Sequence, residues 1–165
     1  TFLWLTKRPA MLREKLGNVR LSENVWLGAS VWDQASVDRI IPELGSILHR
    51  PRWLSVEPMW GPIDLKLGVA LLDWVVVGCE SGPKRRLPSD TRPLAVSEMG
   101  PPNDRPSLPY WENHFLGLVR SLRDQCRVAG VPFHVKQLPI GGAVVSDIEA
   151  FPEDLRIKDT PWKAK

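Results

Sequence analysis

Short apolar runs recur along the chain, and each carries a tryptophan near its start and closes in polar residues or glycine: FLWLTKRP, NVWLGASV, RWLSVEPMWGP and DWVVVGCESG. Trp4, Trp26, Trp53 and Trp74 stand roughly twenty to thirty residues apart, the range of repeated supersecondary units. A short run dominated by β-branched and aromatic residues and followed by turn residues reads as a buried strand. The pattern therefore predicts strands over Phe2–Thr6, Val25–Val31, Arg52–Glu57 and Leu72–Gly78, and a fifth over Val131–Gln137. Helical spacing predicts what lies between. Pro9 suits a first helical turn, ahead of a helix over Ala10–Leu16 that stops at Gly17-Asn18. Asp33 or Ser36 caps a second helix with Val37, Ile40, Ile41, Leu44 and Leu48 on one face. Pro42 predicts a kink or a shifted start there. A long helix over Trp111–Ala129 carries Phe115, Leu118, Val119, Leu122 and Cys126 at helical spacing and is closed by Gly130. The tail FPEDLRIKDTPW has no period and reads as a loop or edge segment.

Strands alternating with crossovers predict an α/β fold with a parallel sheet: an open sheet, or the C-terminal part of a partial parallel (β/α) barrel with about five strands and crossover helices. Five strands do not close an eight-stranded barrel, which takes about 250 residues. Such a sheet leaves the first strand with an unpaired edge, and N-terminal strands missing from this chain would cover it. The start at Thr1, already close to a strand and without an initiator methionine, fits a piece of a longer protein or one from which residues were removed. Residues 1–165 read as a single α/β domain. Residues 84–113 read as a proline-rich inserted loop, long enough without structure to carry a function of its own.

Composition narrows this little. Hydrophobic residues make up 43%, enough for a core, and the 16 prolines cluster between the runs, which fits punctuated loops rather than disorder. A net charge of +3 does not establish a nucleic-acid partner. Cys79 and Cys126 lie far apart with no CxxC spacing, so a disulfide framework is not expected and a reducing compartment is. No signal peptide and no bilayer-length apolar run is visible, so a cytoplasmic location without a membrane is the default.

In parallel α/β folds chemistry gathers at the carboxyl ends of the strands, and here the polar residues stand at those ends. Alternation puts Trp53, Ser55 and Glu57 on one face, as it does Trp26, Gly28 and Ser30, then Trp74, Val76, Gly78 and Glu80, and then His134 and Lys136. If these faces point inward, Ser30, Glu57, Glu80 and Lys136 converge. Any one of them alone reads as a solvated rim residue, while the set reads as a pocket. The run Gly78 to Gly82 could bring backbone N–H groups close to a ligand, with Glu80 accepting from a ribose or an amine, yet it lacks the GxGxxG dinucleotide pattern. Lys7 and Arg8 after the first strand, and Lys84, Arg85 and Arg86 after the fourth, suit a phosphate or carboxylate and equally a solvated charge run. Arg120, Arg123 and Arg127 read as an exposed helix face. His49, His114 and His134 have no metal-ligand spacing. Cys79 has no evident base beside it. The tryptophans read mostly as packing, Trp4 included.

The ordered blocks LTKRP, NVWLGASV, LSVEPMWGPIDL, WVVVGCESGP, SLRDQCRVAGVPFHVKQ and FPEDLRI resemble a family of phage and bacterial proteins that look like divergent radical S-adenosylmethionine proteins. The resemblance covers the chain except about Leu87 to His114. It implies a partial barrel and an N-terminal cysteine motif that holds a four-iron four-sulfur cluster. That motif is not in this chain, so the cluster belongs only to a longer form. It further implies that Gly78, Glu80, Ser81 and Gly82 lie near the adenosyl part of S-adenosylmethionine, with Glu57 and Lys136 facing the same cavity. Lys7, Arg8, Ser30, Glu57 and Lys136 are the candidates to line a pocket for a small-molecule or macromolecular substrate.

Three functions follow. The first is the C-terminal part of a radical-S-adenosylmethionine-like protein, inactive as this chain alone. The second is a non-catalytic, phage-derived module that binds protein or nucleic acid. The last is an ordinary hydrolase or transferase with Glu57 and Glu80 as acid and base, for which no GxSxG elbow is present.

Overall fold

Five strands run parallel and a sixth turns back. A computed structural model of the chain describes residues 1–81 and 108–162. The strands are β1 (Phe2–Thr6), β2 (Val25–Val31), β3 (Arg52–Val56), β4 (Trp74–Gly78), β5 (Phe133–Ile140) and β6 (Ala143–Val145), and they lie side by side in that order. β1 to β5 pair in parallel, and β6 pairs antiparallel with β5. The sheet is thus mixed and curls into a half-barrel, not the all-parallel sheet of about five strands that the pattern predicts. The cause lies in Gly141-Gly142, whose φ angles of 58° and 76° make the two-residue turn that folds Ala143 back onto Ile140.

Sequential strand order has a consequence. When every parallel crossover keeps the usual right hand, all the connections fall on one side of the sheet. The helices are α1 (Pro9–Leu16), α2 (Gln34–Gly45) and α3 (Leu108–Ala129). Val37, Ile40, Ile41 and Leu44 of α2, with Phe115, Val119, Leu122 and Cys126 of α3, share one core with Leu27, Ala29, Val31, Leu54, Val56, Val75, Val77 and Val135. The other sheet face carries a separate cluster of Trp26, Trp53, Trp74 and Val76, against which Trp162 of the tail packs.

Local chemistry explains most boundaries. α2 begins at a reciprocal box: Asp33 accepts from the Ser36 N–H at 2.8 Å, and the Ser36 hydroxyl accepts from the Asp33 N–H at 3.0 Å. Both predicted caps therefore act together. The helix runs through Pro42 and ends at Gly45, so Leu48 leaves the predicted apolar face and is 98% exposed, while Ile47 takes the buried place. The link from β3 to β4 is a short 3-10 helix, Lys66–Leu71, rather than a crossover α-helix. α3 starts at Leu108, so the last residues of the expected insert, 108–113, are helical; the rest of it, including Lys84, Arg85 and Arg86, lies outside the described residues. β5 starts at Phe133 and extends to Ile140, three residues past the expected end.

Trp4 corrects the reading of the tryptophans as core. Its register partner is Leu27, which puts it on the helix-side face, where it is 44% exposed; Leu3 and Leu5 pair with Trp26 and Gly28 on the tryptophan side. Phe2 to Leu5 are all exposed.

Candidate functional site

Rows of side chains cross the helix-free face at right angles to the strands. The register aligns Gly28 with Trp53 and Trp53 with Trp74. One step nearer the carboxyl ends it aligns Ser30 with Ser55, Ser55 with Val76 and Val76 with His134. Next come Glu57 and Gly78. Between Val77 and Gly78 the pairing with β5 jumps from Val135 to Gln137. This bulge makes Lys136 the extra residue, and bulges re-aim side chains in this way. Lys136 and Gln137, neighbours in sequence, both reach Glu57.

The Lys136 ammonium donates to both Glu57 carboxylate oxygens at 2.9 Å. Gln137 Nε2 donates to Glu57 Oε1 at 3.1 Å and to the Cys79 carbonyl at 2.7 Å. Gly78 lies close against this cluster: a Cβ there would stand 3.3 Å from Gln137 Cγ, a tight contact, and 3.5 Å from Glu57 Cδ, an ordinary one. The depth of the groups is graded. The Lys136 side chain is 49% exposed and that of Glu57 18%, while Ser30 and Ser55 beneath them are 4% and 5% exposed. Because Lys136 keeps one end in water, the ion pair contributes about 0.2–1 kcal/mol to stability. Its effect is to fix the Glu57 carboxylate.

The floor is aromatic. A Cβ on Gly28 would lie 2.2 Å from Trp53 Cε2, so the Trp53 indole lies directly across the β2 backbone. Its Nε1 donates to the Trp26 carbonyl at 3.2 Å. Trp162 packs edge-on against Trp26 and Trp74, with centroids 5.2 Å and 4.7 Å away. Asp159 holds this tail in place: its carbonyl accepts from Trp74 Nε1 at 2.9 Å and from His134 Nδ1 at 3.3 Å, and its carboxylate from the Phe133 N–H at 3.0 Å. Burial pushes the His134 pKa down, so its ring is neutral near pH 7.

The other candidates scatter. Lys7 and Arg8 are exposed after β1, and Arg8 reaches Met11 Sδ rather than Glu57. Glu80 is half-buried and Ser81 exposed just past β4, and Gly82 lies outside the described residues. The Cys79 N–H and carbonyl are both committed to Gln137, so the turn presents polar groups to a ligand only from Glu80 onward. Arg120 and Arg123 are not a solvated face: they clamp Asp154 at 2.8 Å and 2.7 Å, and Arg127 pairs with Asp124 at 3.3 Å. Cys126 is buried and its thiol pushed up to about 12, which leaves it inert.

A four-iron four-sulfur cluster of this kind needs several cysteine thiolates, and the cysteines here are Cys79 and Cys126, both buried in the helix-side core. Among the described residues no group of three or more His, Cys, Asp or Glu is placed to hold a metal ion. The donor set of these residues does not fit the cluster. No described helix is long and apolar enough to cross a membrane.

Sequence reasoning missed Gln137, Asp159 and Trp162. Gln137 reaches the site through a bulge that no residue pattern announces. The hairpin of β5 and β6 did carry a signal, in Gly141-Gly142 between apolar residues.

Residues 1–97 match the model of a family described as Protein of unknown function (DUF5131). The chain belongs to that family. The matched span takes in β1 to β4, with Ser30, Ser55, Glu57 and Gly78, and leaves Lys136 and Gln137 beyond it. No curated protein and no solved structure matches the chain.

Proposed function

We propose that this DUF5131 chain is the C-terminal part of a radical-S-adenosylmethionine-like protein, a partial barrel that supplies cofactor- and substrate-facing strand ends. The observation that carries the reading is the meeting of Glu57, just past β3, with Lys136 and Gln137 of β5, at the carboxyl ends of parallel strands in a sequentially ordered sheet. That is where ligands bind in parallel α/β folds. The resemblance of the WVVVGCESGP block adds the cofactor. Glu80 and Ser81 would hold the adenosyl ribose and Glu57 with Lys136 would face the substrate. In a longer form that held a cluster, S-adenosylmethionine would supply radical chemistry. The residues of this chain bind and orient, and they hold no cluster themselves.

S-adenosylmethionine titrated into the chain and followed by calorimetry tests this. Saturable binding that weakens at least about tenfold in Glu80→Ala is expected. No heat of binding, or equal binding by the variant, overturns the cofactor assignment.

A second reading, a module that binds a protein partner, is favoured by β1, where Phe2, Leu3, Trp4 and Leu5 are 61%, 43%, 44% and 51% exposed. An apolar strand with an open edge is a surface for adding a partner's strand. A partner that protects the β1 amides from hydrogen exchange is the expected result, and a partner that protects other elements only would sink this reading.

A further inference from the structure

Ser30 and Ser55 are each more than nine-tenths buried and stand in register on neighbouring strands, roughly 4.8 Å apart. Among the described residues neither hydroxyl has a hydrogen-bond partner. The one unpartnered side-chain polar atom sealed from solvent in those residues is Arg52 Nε, so the two hydroxyls open onto space that solvent reaches. Buried polar groups are ordinarily satisfied, and unpaired ones aimed into an opening point to a ligand.

The neighbouring groups define its chemistry. Glu57 has about four lone-pair positions, and Lys136 takes two of them and Gln137 a third, leaving one on Oε2. The Lys136 ammonium has three protons and spends two on Glu57. What remains is one acceptor, one donor and two hydroxyls that do both. The charges of Glu57 and Lys136 cancel, so nothing here selects an ion, and a ligand anion would meet the Glu57 carboxylate. Alternating donors and acceptors at this spacing suit a ligand that does the same. The Trp53 and Trp74 rings below would meet its C–H face.

We infer that the Ser30–Ser55 pair, with Glu57 and Lys136 above it, is a subsite for the vicinal diol of a sugar. The inference rests on the strand-end pocket proposed above and not on S-adenosylmethionine. The diol can come from the ribose of a nucleoside or from a free sugar. The serines hold the two diol oxygens from below, and Glu57 Oε2 accepts from one of them.

The test is saturation-transfer NMR of the full chain with adenosine, 2′-deoxyadenosine, D-ribose and D-glucose, on the unaltered protein and on the Ser30→Ala/Ser55→Ala double variant. At least one diol is expected to bind, and the double variant to bind it about tenfold or more weakly. Adenosine binding better than 2′-deoxyadenosine assigns the diol to a nucleoside, and ribose or glucose binding alone assigns it to a free sugar. The melting temperature of the double variant is expected to hold, since neither hydroxyl is bonded to another group of the protein and both keep contact with solvent. A purely structural role for the serines would instead lower it and leave binding intact. That outcome, equal binding by the variant, or no diol binding below about 10 mM overturns the inference. If these diols bind and S-adenosylmethionine does not, the cofactor reading fails alone. If S-adenosylmethionine binds through Glu80 and no free diol does, this subsite fails alone.

Discussion

Gly28 and Gly78 show how single residues without side chains set this site. Each lies against side chains of neighbouring strands: the Trp53 indole over Gly28, and Gln137 with Glu57 beside Gly78. A methyl group at 28 would displace the indole outright, because the nearest ring atom stands 2.2 Å from it. Gly28→Ala is expected to cost about 1–3 kcal/mol, to lower the melting temperature and to change tryptophan emission. An unchanged melt would mean that Trp53 does not lie across β2. Lys136 behaves differently. Its side chain is 49% exposed, so Lys136→Met should shift the melting temperature by less than about 4 °C, while diol binding falls because Glu57 loses its orienting partner. A large loss of stability would recast Lys136 as structural. At this scale the sequence was partly legible. Alternation put Ser55 with Glu57 on one face of its strand and Ser30 with Trp26 on one face of another, and the register joins the two, but Trp4 followed the same grammar as the other strand tryptophans and fell on the opposite side. Nothing local distinguishes it, since which face a residue takes depends on pairing with β2.

The tail after β6, expected as a loop or edge segment, runs beside β5 through an antiparallel bridge of Lys158 with His134. Residues 151–162 have no period because one short 3-10 helix, Glu153–Leu155, and a single bridge are all the regular structure in them. Phe151 and Leu155 are buried in the helix-side core and Trp162 packs on the tryptophan cluster, and separate polar anchors join them: Asp154 to Arg120 and Arg123, Asp159 to Trp74, His134 and Phe133, and Lys158 to the Lys136 carbonyl at 3.0 Å. The arginines of α3 that looked like a solvated face are half of that anchor. The hydrogen bond from Arg120 first, and that from Arg123 after it, hold the Asp154 carboxyl at about 2, below its ordinary 3.8. A folded pKa below the unfolded one means stability that is fully present above about pH 4 and is lost as pH falls through about 2. Both sides of the clamp are partly in water, so the contribution is screened by salt. Hydrogen exchange over 151–162 is expected to quicken in Asp154→Asn at pH 7 and low salt. The variant and the unaltered chain should converge near pH 2. A difference that persists there would show that the aspartate acts through something other than its charge.

For the molecule as a whole, strict strand order explains both the site and its weakest border. Among the described residues, sequential pairing with crossovers packed on one face leaves the face of Ser30, Ser55, Glu57 and Lys136 without a helix, and the same order leaves β1 paired on one side only. The run-and-crossover rhythm made the parallel α/β part of this legible, and among the described residues β1 pairs only with β2. The mixed sheet was not legible, because β6 has only three residues and depends on its turn. β1 carries none of the usual protections of an edge strand. FLWLT has no charge, no proline and no bulge, and its apolar side chains are open on both faces. Leu3 and Leu5 lie toward the tryptophan face and Phe2 and Trp4 toward the helices. An exposed apolar edge of this kind pairs with another like it. The isolated chain is therefore expected to self-associate as concentration rises. Leu3→Lys with Trp4→Lys should make it monodisperse by light scattering, placing one charge on each face of the strand. Since both side chains are already largely in water, the double change should leave melting of the core nearly unmoved. Association that persists unchanged in the double variant would move the sticky surface away from β1, and with it the case for a partner strand at that edge.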